Sequence, residues 1–348
     1  MQSPIQVCLV GAGRAAKVHA NSLTHHVPGG RLAAVVDVDA QVLNALADQA
    51  GVEKRFGTLE EALEWSAFEA VVVTTPTFTH ASLAIMAAKA GKHILLEKPM
   101  ALNLDECDAI LETVSSHGVL LQLGFMRRFD PEFMAANERI QAREIGQPMM
   151  IKSLTHGPGL PPAWARDLKT SNGNLAEVNS HDWDSLRWLM GSNYERVYVE
   201  TANFKGKAAG VTSENFYDNA LVTVRFESGA LGSISSICPC NYGYDARVEI
   251  VGEKGIMLIG DLRNQAIVVC TDRNQGLVTP VHSTWAKRFE KGYIGEMQHF
   301  IECIQTGAQP RVGGEDGRWA VAGVLAATRS FLEVRPVYLN EIMKQDIT

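Results

Sequence analysis

Residues 5–16 read Ile5-Gln6-Val7-Cys8-Leu9-Val10-Gly11-Ala12-Gly13-Arg14-Ala15-Ala16. A short apolar run breaks into a G-x-G-x-x-A loop, and helix formers follow. In such a loop Gly11 permits the tight turn, Gly13 lets backbone approach a pyrophosphate, and Ala16 keeps helix and strand close. The unpaired N–H groups of the helix N-terminus attract anions. Alone the pattern is weak. Between a strand and a helix, at the start of a βαβ unit, it stands in its confirming context. Gly11, Ala12, Gly13, Arg14 and Ala15 are therefore the expected contacts to a dinucleotide pyrophosphate.

Working outward, residues 32–38, 70–75, 93–97 and 120–125 are similar runs rich in Val, Ile and Leu, as buried parallel strands are. Helical stretches separate them. Residues 79–91 form one, closed by Gly91. Residues 103–118 form another, with Asn103 as N-cap, Glu106 three positions on and Gly118 at the end. Thr58 with Glu61 offers a second capping box. This alternation predicts a doubly wound α/β domain over residues 1–125. Asp37 ends the second run, 26 residues after Gly11, against a usual separation of about 20; the His25–Gly30 loop accounts for the excess. A carboxylate there would accept from the adenosine ribose of NAD and repel the 2′-phosphate of NADP. Thr75, Pro76 and His80 follow another strand end, and strand C-termini line the cofactor crevice in this topology. A turn proline and a surface histidine would read the same way.

After residue 126 the pattern changes. A helix (131–145) and a strand (149–156) lead into a Pro/Gly-rich stretch, and a helix over 174–190 follows. Strand-like runs then come in series: 195–204, 219–238, 247–260 and 266–270, with hairpin-like turns at Glu227–Ala230 and Gly252–Gly255. Helices at 293–306 and 315–333 close the chain. Residues 126–348 thus read as a second α/β domain with a large, mostly antiparallel open sheet.

Composition sets outer limits. The chain has 348 residues and a formal net charge of −7, with no basic block, which argues against nucleic acid or an anionic membrane as partner. No run approaches the ~18–20 apolar residues of a membrane span. The N-terminal segment lacks a basic n-region and reads as a strand. Six scattered cysteines form no C-x-x-C pair and suggest reduced core thiols in a cytoplasmic protein.

The run 93–97 ends in Glu97-Lys98-Pro99. A lysine at a strand C-terminus beside a nicotinamide would polarise a substrate oxygen or relay its proton, though most lysines are merely solvated. Here the sequence resembles the Gfo/Idh/MocA family of NAD(P)-dependent oxidoreductases. The matching pieces are G-A-G-R (11–14), T-T-P-T-F-T-H (74–80), L-L-E-K-P (95–99), G-F-M-R-R-F-D-P (124–131), S-H-D-W-D-S-L-R-W-L-M-G (180–191) and G-E-D-G-R-W-A (314–320). They occur in family order and span nearly the whole chain; residues 124–130 are especially similar to inositol 2-dehydrogenases. The resemblance implies an N-terminal Rossmann domain, NAD as cofactor, Lys98 as a catalytic residue and Arg128 near the substrate. It also places Glu97 and Lys98 at the cofactor.

Glu177 and His181 are four apart, a spacing that puts both on one helix face, with Asp184 three further on. Spacing alone favours a surface His–carboxylate pair, and three such groups support a metal site only weakly; no metal is expected. Many members of the family carry Asp-x-x-x-His here, both facing substrate. The resemblance therefore makes His181 the proton acceptor, with Glu177 standing where Asp is usual. Tyr293 and Trp164 are further pocket candidates, or ordinary core aromatics.

The expected activity is NAD-dependent oxidation of a secondary hydroxyl of a cyclic polyol or sugar, inositol-like, to a ketone. The rival readings are NAD-assisted glycoside cleavage and a non-catalytic NAD-sensing regulator. By analogy with the family, the chain is expected to form a homodimer or homotetramer.

Overall fold

A computed structural model describes residues 3–211, 213, 215–264 and 280–343. The chain divides into two compact units: Met1–Asp130 with Glu290–Ala322, and Pro131–Phe289 with Gly323–Thr348.

The first unit holds six strands: β1 (Ile5–Val10), β2 (Gly30–Val36), β3 (Lys54–Phe56), β4 (Ala70–Val73), β5 (His93–Leu96) and β6 (Leu121–Leu123). They pair in the order β3-β2-β1-β4-β5-β6, every neighbour parallel. All four residues of β4 are fully buried, as a central strand covered on both faces requires. Helices α1 (Arg14–His25), α2 (Ala40–Ala50), α3 (Leu59–Trp65), α4 (His80–Lys89) and α5 (Leu104–His117) make the crossovers. Both expected capping boxes form. Thr58 Oγ1 accepts from Glu61 N, and Glu61 Oε2 accepts from Gly57 N. Asn103 Oδ1 accepts from Glu106 N, and Glu106 Oε2 accepts from Leu102 N. The strand order reverses between β1 and β4, which places a crevice at their C-terminal ends.

The expected division at residue 125 and the compact units differ in one respect. Met297, Phe300 and Ile301 of helix Glu290–Thr306 belong to the apolar core around Val7, Leu9, Val35 and Val72. That late helix is therefore part of the first unit. Strand β3 was not foreseen; it is three residues long and begins with Lys54-Arg55, leaving no apolar run to read.

The second unit holds β7 (Pro148–His156), β8 (Tyr194–Ala202), β9 (Asn219–Phe226), β10 (Leu231–Ile237), β11 (Asp245–Gly252), β12 (Ile256–Ile259) and β13 (Val337–Tyr338). Their order is β12-β11-β7-β10-β9-β8-β13. Only β7 and β10 pair in parallel; the other neighbours are antiparallel. In β9, Ala220, Val222, Val224 and Phe226 are buried while Leu221, Thr223 and Arg225 are exposed, so one face is packed and the other open. The run expected as a strand at 266–270 lies outside the described residues.

Two helix expectations need correction. The helix read over 131–145 is α6 (Pro131–Gln141), and the chain then turns through left-handed Arg143 and Gly146. The single helix read over 174–190 is two, Asn174–Glu177 and Ser180–Met190. Asn179 breaks it: its side-chain amide donates to Asp182 Oδ2 at 2.8 Å, and its backbone leaves the helical region. Among the described residues no helix is long and apolar enough to cross a membrane.

Candidate active site

The glycine loop opens the crevice of the first unit. Gly11 has φ +93°, and a Cβ there would lie 3.0 Å from Thr74 and Thr75 atoms, so only glycine fits. At Gly13 a Cβ would meet nothing within 4 Å. Gly13 is the N-cap of α1 and supplies no side-chain cap, so the first N–H groups of this 12-residue helix face that open space. Asp37 follows β2, and its Oδ2 accepts from Ala12 N at 2.7 Å. Loop and carboxylate thus form one feature. An open cradle of amides with an anion at its rim fits the pyrophosphate and ribose of NAD. Arg14 and Ala15 occupy the first turn of α1, Arg14 exposed.

Thr75 and Pro76 end the β4 side of the crevice, and Thr79 Oγ1 donates to Thr75 Oγ1 and to Pro76 O, each at 2.7 Å. His80 is buried. Its Nδ1 lies 2.7 Å from Pro99 O and its Nε2 2.9 Å from Thr75 O. The ring therefore clasps the turn after β4 to the turn after β5. Burial holds its pKa below the ordinary histidine value, against the two carbonyls, which favour the charged ring.

Lys98 stands half-buried just past β5, ahead of a cis Lys98–Pro99 bond. Glu97 faces inward. Its Oε1 pairs with His19 Nε2 at 2.8 Å, and its Oε2 accepts from Lys98 N at 3.1 Å. Burial would raise the Glu97 pKa, but the His19 hydrogen bond, with the charges of His19 and Lys98, holds it below the ordinary value. Arg128 is also buried, and its Nη2 donates to Asp316 Oδ1 at 2.8 Å. The ring of Tyr293 meets His19 edge-on, centroids 5.5 Å apart.

In the second unit Glu177 ends one short helix and His181 sits in the first turn of the next. His181 is 5% exposed and Asp184 is buried. The one-face argument for Glu177 and His181 assumed continuous helix, so it does not carry over. Asp182 was not singled out from sequence. It is fully buried and accepts from Asn179 Nδ2 and Ser153 Oγ, fixing the turn that carries His181.

Four other residues were missed. His19 and Glu296 lie in helical stretches, where a lone polar residue reads as surface. Asp316 lies within the quoted G-E-D-G segment, which marked its place but not its partner. His156 ends β7 and contacts Tyr242 Oη and Ser235 Oγ, a cluster assembled from distant strands that no local spacing announces.

Comparison with known proteins agrees with this architecture. A family model described as an oxidoreductase family NAD-binding Rossmann fold matches residues 5–125, and its companion, an oxidoreductase family C-terminal alpha/beta domain, matches residues 137–339. The chain is 35% identical over 344 residues to the scyllo-inositol 2-dehydrogenase (NAD(+)) of Bacillus subtilis, covering 98% of each. It is 33% identical over 339 residues to the Myo-inositol 2-dehydrogenase of Thermotoga maritima, covering 97% of this chain and 100% of the other. The crystal structure of a Myo-inositol dehydrogenase from Corynebacterium glutamicum aligns with a TM-score of 0.86 at 28% identity, over 97% of this chain and 99% of that one. A glycine loop opening a parallel sheet, followed in the chain by this second sheet, is what the two models describe, and the chain belongs to the Gfo/Idh/MocA family of NAD-binding oxidoreductases.

Proposed function

We propose that the protein oxidises a secondary hydroxyl of an inositol-like cyclic polyol to the ketone, with NAD+ as acceptor. The observation that carries this reading is the end-to-end relation to proteins named as inositol 2-dehydrogenases, at 35% and 33% identity over nearly complete chains. When bound, NAD+ supplies the hydride acceptor; the chain supplies position and proton handling. Gly11, Ala12, Gly13, Arg14 and Ala15 hold the pyrophosphate. Asp37 takes the ribose hydroxyls. Thr75, Pro76 and His80 shape the crevice wall. Lys98 holds the reacting hydroxyl oxygen through its ammonium and stabilises the charge that develops there. His181 accepts the hydroxyl proton, and Glu177 binds a neighbouring hydroxyl or orients the ring. Arg128, held by Asp316, faces another substrate hydroxyl. Tyr293 completes the pocket.

A panel of inositols, hexoses and sugar acids with NAD+, followed by NADH absorbance, tests this. NADH formed in step with inositol consumption is the expected result. Cleavage of a glycoside without net NADH would favour NAD-assisted elimination instead. Tight NAD binding with no turnover on any polyol would favour a regulator.

We further propose assembly as a homodimer or homotetramer through the open face of the second sheet. Leu221, Leu231 and Leu258 are 65%, 48% and 70% exposed, an apolar set that a second copy would cover. Light scattering of Leu221→Glu/Leu258→Glu should show smaller particles than wild type. Five free cysteines among the described residues are all buried, which suits a reducing cytoplasm.

A further inference from the structure

Inside the first unit three ionisable side chains meet. His19 comes from α1, Glu97 from the end of β5, and Glu296 from helix Glu290–Thr306. One ligand-type atom of each lies within 4.8 Å of the others. Glu97 is 5% exposed, and His19 and Glu296 are fully buried. Hydrogen-bond donors are shared unequally. Glu97 receives His19 Nε2–H and the backbone N–H of Lys98, whereas neither carboxyl oxygen of Glu296 has a partner.

Two ionised carboxylates this close, both out of water, repel each other and lose their hydration. One must keep a proton, and the donors decide which. Glu97 has two of them and stays anionic. A carboxylate only accepts, so the shared hydrogen sits on His19 Nε2. Burial, and after it the charge of Glu97, raise the Glu296 pKa well above the ordinary carboxyl value. The surroundings are fixed. A Cβ at Gly124 would lie 3.2 Å from the Glu97 carboxyl, so the backbone there presses directly on it. Gln122 Nε2 donates to the Glu296 carbonyl at 2.9 Å. The groups facing the triad are Tyr293, edge-on to His19, together with Lys98 and His80, which act through the charge of Glu97.

We propose that Glu296 is a buried neutral carboxylic acid and that His19, Glu97 and Glu296 together form a positioning device for Lys98. The neutral acid lets Glu97 keep its single charge at a defined place, and Glu97 Oε2 anchors the peptide N–H of the residue carrying the ammonium. This rests on the reading of Lys98 as the group that holds the substrate oxygen. It also fixes a sign. A carboxyl whose folded-state pKa lies above its unfolded value of 4.5 adds stability below that value and loses it as pH rises through the folded one.

The test uses the full-length protein and two variants at the same position, Glu296→Gln and Glu296→Met, neither of which can ionise. Infrared difference spectra at neutral pH should show a protonated-carboxyl stretch in wild type that both variants lack. Melting temperature, variant minus wild type, should rise steadily from mildly acidic to alkaline buffer. Glu97→Gln should lower kcat by on the order of 10–100-fold, as loss of a partner that orients a functional group does, with the Kd for NAD unchanged. Glu296→Gln should move the alkaline loss of kcat to higher pH. A missing carboxyl band, or a melting difference flat with pH, would overturn the proton assignment. So would a stoichiometric divalent metal, measured in the purified protein and lost in Glu296→Gln. The band and the melting slope do not depend on turnover. If both hold while Lys98→Met retains full activity, the positioning role is overturned and the failure lies with the reading of Lys98.

Discussion

The carboxylate of Asp37 accepts the backbone N–H of Ala12 at 2.7 Å, and its other oxygen accepts Asp39 N at 2.8 Å. Asp39 in turn caps α2 through Gln41 N and Val42 N. The negative charge at the rim of the glycine loop is thus held in place before any ligand arrives.

Asp37→Ala should raise the Kd for NAD about tenfold, the worth of one hydrogen bond to a charged group at roughly 1.5 kcal/mol. It should also narrow the preference for NAD over NADP, because the repulsion of a 2′-phosphate goes with the carboxylate. Fluorescence titration of both cofactors measures this. A wild-type protein that prefers NADP would sink the assignment.

Lys98→Met keeps most of the side-chain volume and deletes the charge. kcat should fall by on the order of 10²–10⁴, the usual contribution of a positioned acid or base. NAD affinity should stay nearly constant, since the cradle is built from residues 11–15 and 37. Loss of NAD binding would make Lys98 a cofactor anchor instead.

His181→Ala should lower kcat over a similar range and remove the acid limb of the oxidation profile. An imidazole accepts a proton only when neutral, so wild-type activity should fall as pH drops and the variant should not follow. Glu177→Gln should act mainly on KM if the carboxylate binds a hydroxyl. A pH profile identical in wild type and His181→Ala would exclude the histidine as base.

Arg128→Ala should raise KM more than it lowers kcat, the pattern for contacts made equally in ground and transition states. Asp316→Asn removes the charge that holds the guanidinium and should move KM the same way by less. If only the melting temperature changes, the buried pair is structural.

The first sheet was legible because each of its main strands is buried on both faces and reads as an unbroken apolar run, and because Asn103, Thr58 and Gly118 punctuate the helices in the ordinary way. β3 escaped, being too short and too charged to carry a pattern. The candidate site was legible where function sits on a local motif: Gly11–Ala15, Asp37, Lys98. It was not legible where the partner is remote in sequence. Nothing near Arg128 announces Asp316, and nothing near Glu97 announces Glu296; those pairings exist only once late helices have packed. The break at Asn179 was hidden for another reason. Asparagine is tolerated inside helices, and it breaks this one because Asp182, buried against Ser153 Oγ, offers its side chain a better acceptor than solvent would.

The place of helix Glu290–Thr306 in the first unit bears on how the chain is born. Met297, Phe300 and Ile301 complete a core whose other members are among the earliest residues made. At a usual ribosomal pace, the nascent glycine-loop sheet must wait on the order of ten seconds for them, with Val7, Leu9 and Val35 incompletely covered. During that interval the emerging chain offers an apolar surface that a chaperone can hold. A premature stop before residue 290 would leave it permanently exposed and direct the fragment to proteolysis rather than to a smaller working domain.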